Sequence, residues 1–529
     1  MTICVICHRN IISIILIFNN IILIFCKMNK LKKSNQERYK TWIRNLVITG
    51  ENINIGKSYE NPPLITAVRR GYTECVKELI NAGANLNVRD DEGRTPLHIA
   101  IIEWHTICFK LLVNAGAKLN VGKKYGSAPL HLAITKGCTD YVMLLINAGA
   151  NLDVGDYKGR TPLHLAIIEC RTDCVNLLIN AGAKLNIIIG TCGETPLHLA
   201  AIRGLETCVG FLINAGANLN VRDNEGCTPL HLAVICGGDA NCVKKLIKAG
   251  ANLNVRDNEG RTPLHLACCI GHTTCVNELI NAGANLNIRD DDGATPMIIA
   301  SRLGHTTYVS KLFYAGADFN IRDNDGSTPL HFIARWGRKI CARELITAGV
   351  EINTINNEGA TPLHFASRYG RTRVVRDFIT TGADPNISDN SGQTPLHWVV
   401  LGDYDTLSGH NACLNALIDA GAYLHAVDIN GCTPVQLAIA NNKKWCIVTL
   451  VVNTLKKRTL LKNEWALIPV GANVGSFLPI VMTRDGQSEA AKLVSRLKIK
   501  KRRVLQTAVM CLRRFVSRDV VDQIAVHCV

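Results

Sequence analysis

Histidine recurs nine times in one local context, at His98, His131, His164, His198, His231, His265, His331, His364 and His397. Imidazole binds metals and moves protons near neutral pH, so such a series raises metal or acid–base chemistry first. The series does not repeat a second ligand three or four residues on, where one helix face would supply it. Cysteine raises the next question, with 22 in the chain. Cys75, Cys108, Cys174, Cys208, Cys242, Cys275, Cys341 and Cys413 share one repeat position, and Tyr141, Tyr308 and Val374 fill it elsewhere. A column that accepts Tyr and Val is an apolar core position. Its neighbours would stand about 8–10 Å apart, beyond the roughly 7 Å over which Cα atoms can be bridged. Structural thiols in a reducing compartment are therefore expected, and no CxxC pair with zinc spacing occurs in the repeats. Acidic pairs such as Asp257 with Glu259 read as solvated loop charges. No catalytic residue, metal or cofactor is expected.

These residues are spaced by a repeat. Proline recurs in one context twelve times from Pro63 to Pro434, and eight of the eleven intervals are 33 residues. Within one unit, Thr262-Pro263 starts a helix, because Thr caps a free N–H and Pro at the first helical position has no N–H to lose. Leu264, Leu266 and Ala267 supply its apolar contacts, and Gly271 ends it. Cys275, Val276, Leu279 and Ile280 mark a second helix that stops at Gly283. A loop through Gly293 follows, read as a projecting hairpin. The glycines lie in regular columns and form neither GxxxxGK[ST] nor GxGxxG, which removes phosphate cradles from the repeats.

The 33-residue period, the TPLH element, the inter-helix glycine and the closing AGAxLN resemble the ankyrin repeat, over about 380 of 529 residues. The resemblance implies an all-α dominated α-solenoid of stacked helix–turn–helix units with projecting β-hairpin loops. It also implies a structural hydrogen-bonding role for the TPLH histidines and a concave face that binds other proteins. Stacking explains the repetition, since one unit cannot bury its own apolar face. The expected organisation is an apolar leader at 1–27, a basic segment at 28–60, about twelve repeats at 61–440 and a basic helical region at 441–529.

Departures from regularity mark individual positions. Trp104 and Cys170 replace the inter-helix glycine, so those turns are expected to differ. Asn61-Pro62-Pro63-Leu64-Ile65 replaces the TPLH context in the first unit and suits an N-terminal cap. Ile298 replaces histidine in the eighth. The eleventh has six extra residues around Gly402–Asn411, expected to lengthen a surface loop. Units eight to ten carry SRLGH, ARWGR and SRYGR. By the resemblance, the end of the first helix faces the groove, so Arg302, Arg335 and Arg368 form one row with Trp336 and Tyr369 beside it. Arg338 and Arg371 add charge. Two readings stand: a binding face for a protein with an acidic segment, or arginines common at this position with aromatics partly packed.

The charge lies at the ends. Residues 1–60 carry +6 and residues 441–529 carry +12 of the formal +16, so the repeats are close to −2. Any contact with nucleic acid or an anionic membrane therefore belongs to the termini. Ile11–Cys26 is an apolar run of sixteen interrupted by Asn19-Asn20 and followed by lysines. It reads as a spurious leader before a true start at Met28, or as a membrane anchor, although a spanning helix wants about twenty residues. Lys500, Lys501, Arg502 and Arg503 resemble a nuclear import signal. Leu505, Ala508, Leu512 and Phe515 fall at helical spacing beside Arg513 and Arg514, as a cap on the last repeat or a basic amphipathic helix. The expected function is a non-enzymatic intracellular scaffold or adaptor, cytoplasmic or nuclear, of undetermined oligomeric state. The alternatives are a ubiquitin-ligase substrate adaptor, for which Leu505–Cys511 is a loose box match, and a membrane or nucleic-acid tether.

Overall fold

A computed structural model describes residues 34–55, 61–122, 126–190, 192–236, 240–402, 407–441, 443, 446, 447, 449, 450 and 453. The described residues of Met1–Asn258 form one compact body and those of Glu259–Val529 another. Each body is a stack of helix pairs, an all-α repeat solenoid, in which the first helices pack on one another and the second helices do the same.

The tenth repeat shows how the sequence builds a unit. Thr361 is extended (φ −90°, ψ 164°) and precedes Pro362, which opens the helix Pro362–Arg368. Thr361 and His364 close a capping box, satisfying donors that the helix start leaves free. Leu363 and Ala366 are buried on this helix, and Val374, Val375 and Phe378 on the second, Thr372–Thr380. Apolar positions three and four apart make that second helix amphipathic, so its core face is fixed by the stack. Gly382 then ends the pair at φ +99°.

The projecting loops are tight turns, and among the described residues the only paired bridge outside the helices is the isolated Ile189–Glu194 contact. Asp323 organises one such turn: its Oδ1 accepts the Ser327 N–H at 2.8 Å, and its own N–H donates to the Ser327 carbonyl at 3.0 Å. Successive turns are then joined along the stack. The Asn390 N–H donates to Glu358 O at 2.8 Å, and Asn390 Nδ2 donates to Asn357 O at 2.8 Å. Gly359 is required where these turns meet, because its φ is +76° and a Cβ there would sit 2.9 Å from Asn390 N.

Three departures from the repeat resolve differently from expectation. Trp104 and Cys170 do not change their turns: both adopt the left-handed φ of the glycines they replace, +58° and +53°. The surrounding helix pairs dictate the backbone there, and the side chains bear the strain. Left-handed backbone costs an L residue about 1–2 kcal/mol, and Trp104 is 59% exposed, so it recovers little by packing. Trp104→Gly is therefore expected to stabilise the protein by about 1 kcal/mol, after allowance for the freer unfolded chain. A lower denaturation midpoint for the variant would refute this.

The insertion in the eleventh repeat does not simply lengthen a loop. Its second helix, Leu407–Asp419, has 13 residues against nine in the tenth repeat, so much of the extra sequence becomes another helical turn. The first repeat is covered by a helix over residues 34–49, which buries Ile43 and Leu46. Tyr39 Oη of that helix donates to Pro63 O at 2.9 Å, and Arg44 Nη2 lies 2.7 Å from Glu78 Oε1. These contacts stand where the atypical Pro62-Pro63 start lacks a capping side chain.

Candidate protein-binding face

The histidine series is occupied with holding the stack. In His98, His164, His198, His231, His265, His331, His364 and His397, Nδ1 accepts the N–H of the Thr three residues earlier, at 2.9–3.3 Å. A nitrogen that accepts an N–H carries no proton, so the ring proton is on Nε2. Nε2 accordingly faces a loop carbonyl of the next repeat: Ser127 O from His98, Ala360 O from His331 and Gln393 O from His364, at 3.0–3.1 Å. His265 is followed at helical spacing by Cys268 and Cys269, yet it too engages both nitrogens, the second with Ala294 O at 3.1 Å. Burial holds His164, His331 and His364 neutral, each down to about 4.

His131 is the exception that shows the rule. Ala128 stands in the Thr position, and His131 Nδ1 is buried without a partner. Ala128→Thr supplies the missing hydroxyl and is expected to stabilise the N-terminal body by about 1 kcal/mol, the usual value of a cap. Urea denaturation of wild type and variant measures it, and an unchanged midpoint counts against the assignment.

The cysteine column is buried, and among the described residues its members are thiols rather than disulfides. Burial pushes Cys75, Cys174 and Cys413 up to about 11, which keeps them protonated and poor nucleophiles.

Arg302, Arg335 and Arg368 of repeats eight to ten are tied into the fold. Arg302 and Arg368 end their helices, Pro296–Arg302 and Pro362–Arg368, while Arg335 is the penultimate residue of Pro329–Trp336. The Thr-Pro start sets the phase of each helix, so the sixth residue after proline takes the same position in all three. Each guanidinium then lies over an aromatic ring of the following repeat. Cζ to centroid distances are 5.7 Å for Arg302 and Phe332, 5.0 Å for Arg335 and Tyr369, and 5.4 Å for Arg368 and Trp398. The backbone of the row is capped as well. Trp336 Nε1 donates to Arg302 O at 2.6 Å, Arg371 Nε to Arg335 O at 2.9 Å, and His410 Nε2 to Arg368 O at 2.8 Å. Helix-end carbonyls need such partners.

Arg338 and Arg371 therefore lie across the preceding turns. A Cβ on Gly304 would be 3.2 Å from Arg338 Nη2, and one on Gly337 would be 2.7 Å from Arg371 Cδ. Arg302 is half-buried, with Asp292 at 3.8 Å and its own Nε buried without a partner. Arg335 and Arg368 are exposed and pair with no carboxylate among the described residues. Trp336 is 41% exposed and Tyr369 half-buried. Pro329 to Thr380 holds eight Lys/Arg against four Asp/Glu. Two of those acids are engaged, Asp377 by Arg343 at 2.9 Å and Glu344 by Ser310 at 2.6 Å. The face is basic, aromatic and preorganised.

Phe332 and Trp398 were not singled out in the sequence. The signal was present in PLHF and PLHW, where repeats two to seven read PLHL or PLHI. Lys500, Lys501, Arg502, Arg503, the run at 11–26 and the segment from Leu505 to Phe515 lie outside the described residues. Among the described residues no helix is long and apolar enough to cross a membrane.

Comparison with known proteins agrees with this architecture. The family model for ankyrin repeats (3 copies) matches residues 34–123, 107–189, 188–257, 235–323, 307–389 and 370–459. The chain belongs to the ankyrin-repeat family. Ankyrin repeats are protein–protein interaction modules, typically without enzymatic activity. Among solved structures, the chain is similar to the ankyrin repeat domain of Bcl-3, described as a unique member of the IkappaB protein family. The identity is 32% over 39% of this chain and 94% of that one, with a TM-score of 0.37. No curated protein sequence matches.

Proposed function

We propose that the protein is a non-enzymatic intracellular scaffold or adaptor that docks a partner on the arginine face of repeats eight to ten. The observation that carries this reading is the pair Arg335 and Arg368, exposed, without a carboxylate partner among the described residues and each laid over an aromatic ring. A folded chain gains little from leaving two such groups exposed in register. A partner with carboxylates gains two preplaced forks beside Trp336 and Tyr369, the residue types that dominate binding energy. The partner segment is acidic. Buried, protonated thiols support a reducing compartment, the cytoplasm or nucleus.

The test is proximity labelling in cells of the source organism, comparing wild type with R335E/R368E. Among the described residues Arg335 and Arg368 pair with no carboxylate, so the charge reversals break no ion pair described there. The expected result is a small set of proteins labelled by wild type and lost from the variant, with the purified variant still cooperatively folded although it lacks the two cation–π contacts. Identical sets from two equally folded proteins would remove this face from consideration.

A further inference from the structure

We infer that the arginine face takes its partner as an extended, polyproline-type acidic segment with a carboxylate at every third residue, one turn of ligand per repeat. The inference rests on the binding role proposed above and adds the ligand's conformation and spacing. Arg302, Arg335 and Arg368 occupy the same position in consecutive repeats, and each is pinned over a ring of the next repeat rather than free to swing. Neighbouring helices of a stack stand about 8–10 Å apart, which sets the step between guanidinium groups. A ligand must present anions at that step, on one side.

Three regular backbones can be compared. A β-strand returns a side chain to the same face every second residue, at about 6.7 Å or about 13 Å, and misses the step both times. A polyproline II segment returns every third residue, and at 3.1 Å rise per residue that is about 9 Å. An α-helix comes nearest the step at seven residues, about 10.5 Å. Donor chemistry separates the last two. Each guanidinium has five N–H groups, and a bidentate carboxylate uses two. Polyproline II leaves its carbonyls solvated and able to accept the remainder, whereas a helix has already engaged its own. Proline rings between the acids would lie against Trp336 and Tyr369, as aromatic-lined grooves receive such segments.

The experiment measures fluorescence anisotropy of three labelled peptides with four glutamates each against the full chain. One repeats Glu-Pro-Pro, one repeats Glu-Pro-Pro-Pro, and one is an alanine-rich helix with glutamate at every seventh residue. The three-residue register is expected to bind at least tenfold more tightly than the other two, and R335E/R368E is expected to lose at least tenfold of that affinity. R335Q/R368Q serves if the charge-reversed protein does not fold. Equal affinity across the peptides, preference for the helix, or no binding by any of them overturns the inference. If the cell labelling difference persists in any of those cases, the docking face stands and only its ligand register falls. If the labelling difference is also absent, the docking face falls with it.

Discussion

Lowering the pH from 7.5 to 5 is expected to destabilise the C-terminal body by several kcal/mol. The cause is the histidine series. In the folded chain His331 and His364 titrate at about 4 because burial disfavours the imidazolium and Nδ1 is already an acceptor. In the unfolded chain they titrate near 6.5. Between those values the unfolded state binds more protons, so stability is complete above pH 6.5 and is lost as pH falls toward 4. One pKa unit corresponds to 1.36 kcal/mol, so each of the two contributes on the order of 3 kcal/mol over the whole window and about 2 by pH 5. His397 is shifted the same way by burial. Asp290 and Asp323 oppose this, since burial raises their carboxyls and favours the protonated folded form.

The chain contains its own control. In the last repeat Gln436 takes the histidine position and closes the same capping box, its Oε1 accepting the Thr433 N–H at 2.7 Å. H331Q/H364Q should therefore keep the helix starts, lose the bonds to Ala360 O and Gln393 O, and be less stable at pH 7.5. Its loss of stability between pH 7.5 and 5 should be the smaller one. Urea denaturation at the two pH values reads both effects, and parallel pH dependences in wild type and variant would discard the histidine explanation.

The repeat was legible in the sequence because each local signal agreed with the stack: Thr-Pro with a helix start, glycine with left-handed turns, Cys-Val-x-x-Leu with a buried face. The histidine role was implied by family resemblance, whereas its tautomer needed both ring partners. The site was half legible. The period gave Arg302, Arg335 and Arg368 one repeat position, and the family resemblance implied that they form a row. Neither could reveal that Arg338 and Arg371 lie over Gly304 and Gly337, or that Trp336 donates to Arg302 O, because these contacts join residues about one repeat apart through side-chain geometry. Trp104 failed for a related reason. Its residue type argued for a different turn, but the two helices it joins impose the left-handed backbone regardless.

Phe378→Ala is expected to cost about 3–5 kcal/mol, the range for a large aromatic removed from a close-packed core. Phe378 is fully buried in Thr372–Thr380, at a position where the preceding repeats carry Leu345, Leu312 and Leu279. Phe378→Leu tests whether the extra volume matters: it should cost less than the alanine variant, because leucine is what this position accepts elsewhere and the residual cavity is smaller. Repeats contact only their neighbours, so the loss should be local. Hydrogen exchange in Phe378→Ala should accelerate through the tenth repeat and its neighbours, while the helices of the N-terminal body keep their protection. Arg368, Tyr369 and Arg371 belong to that repeat, so the basic face should lose affinity for an acidic ligand although no residue of the face has changed. A variant destabilised by less than 1 kcal/mol, or one with exchange accelerated uniformly along the chain, would contradict this account of how the face is held.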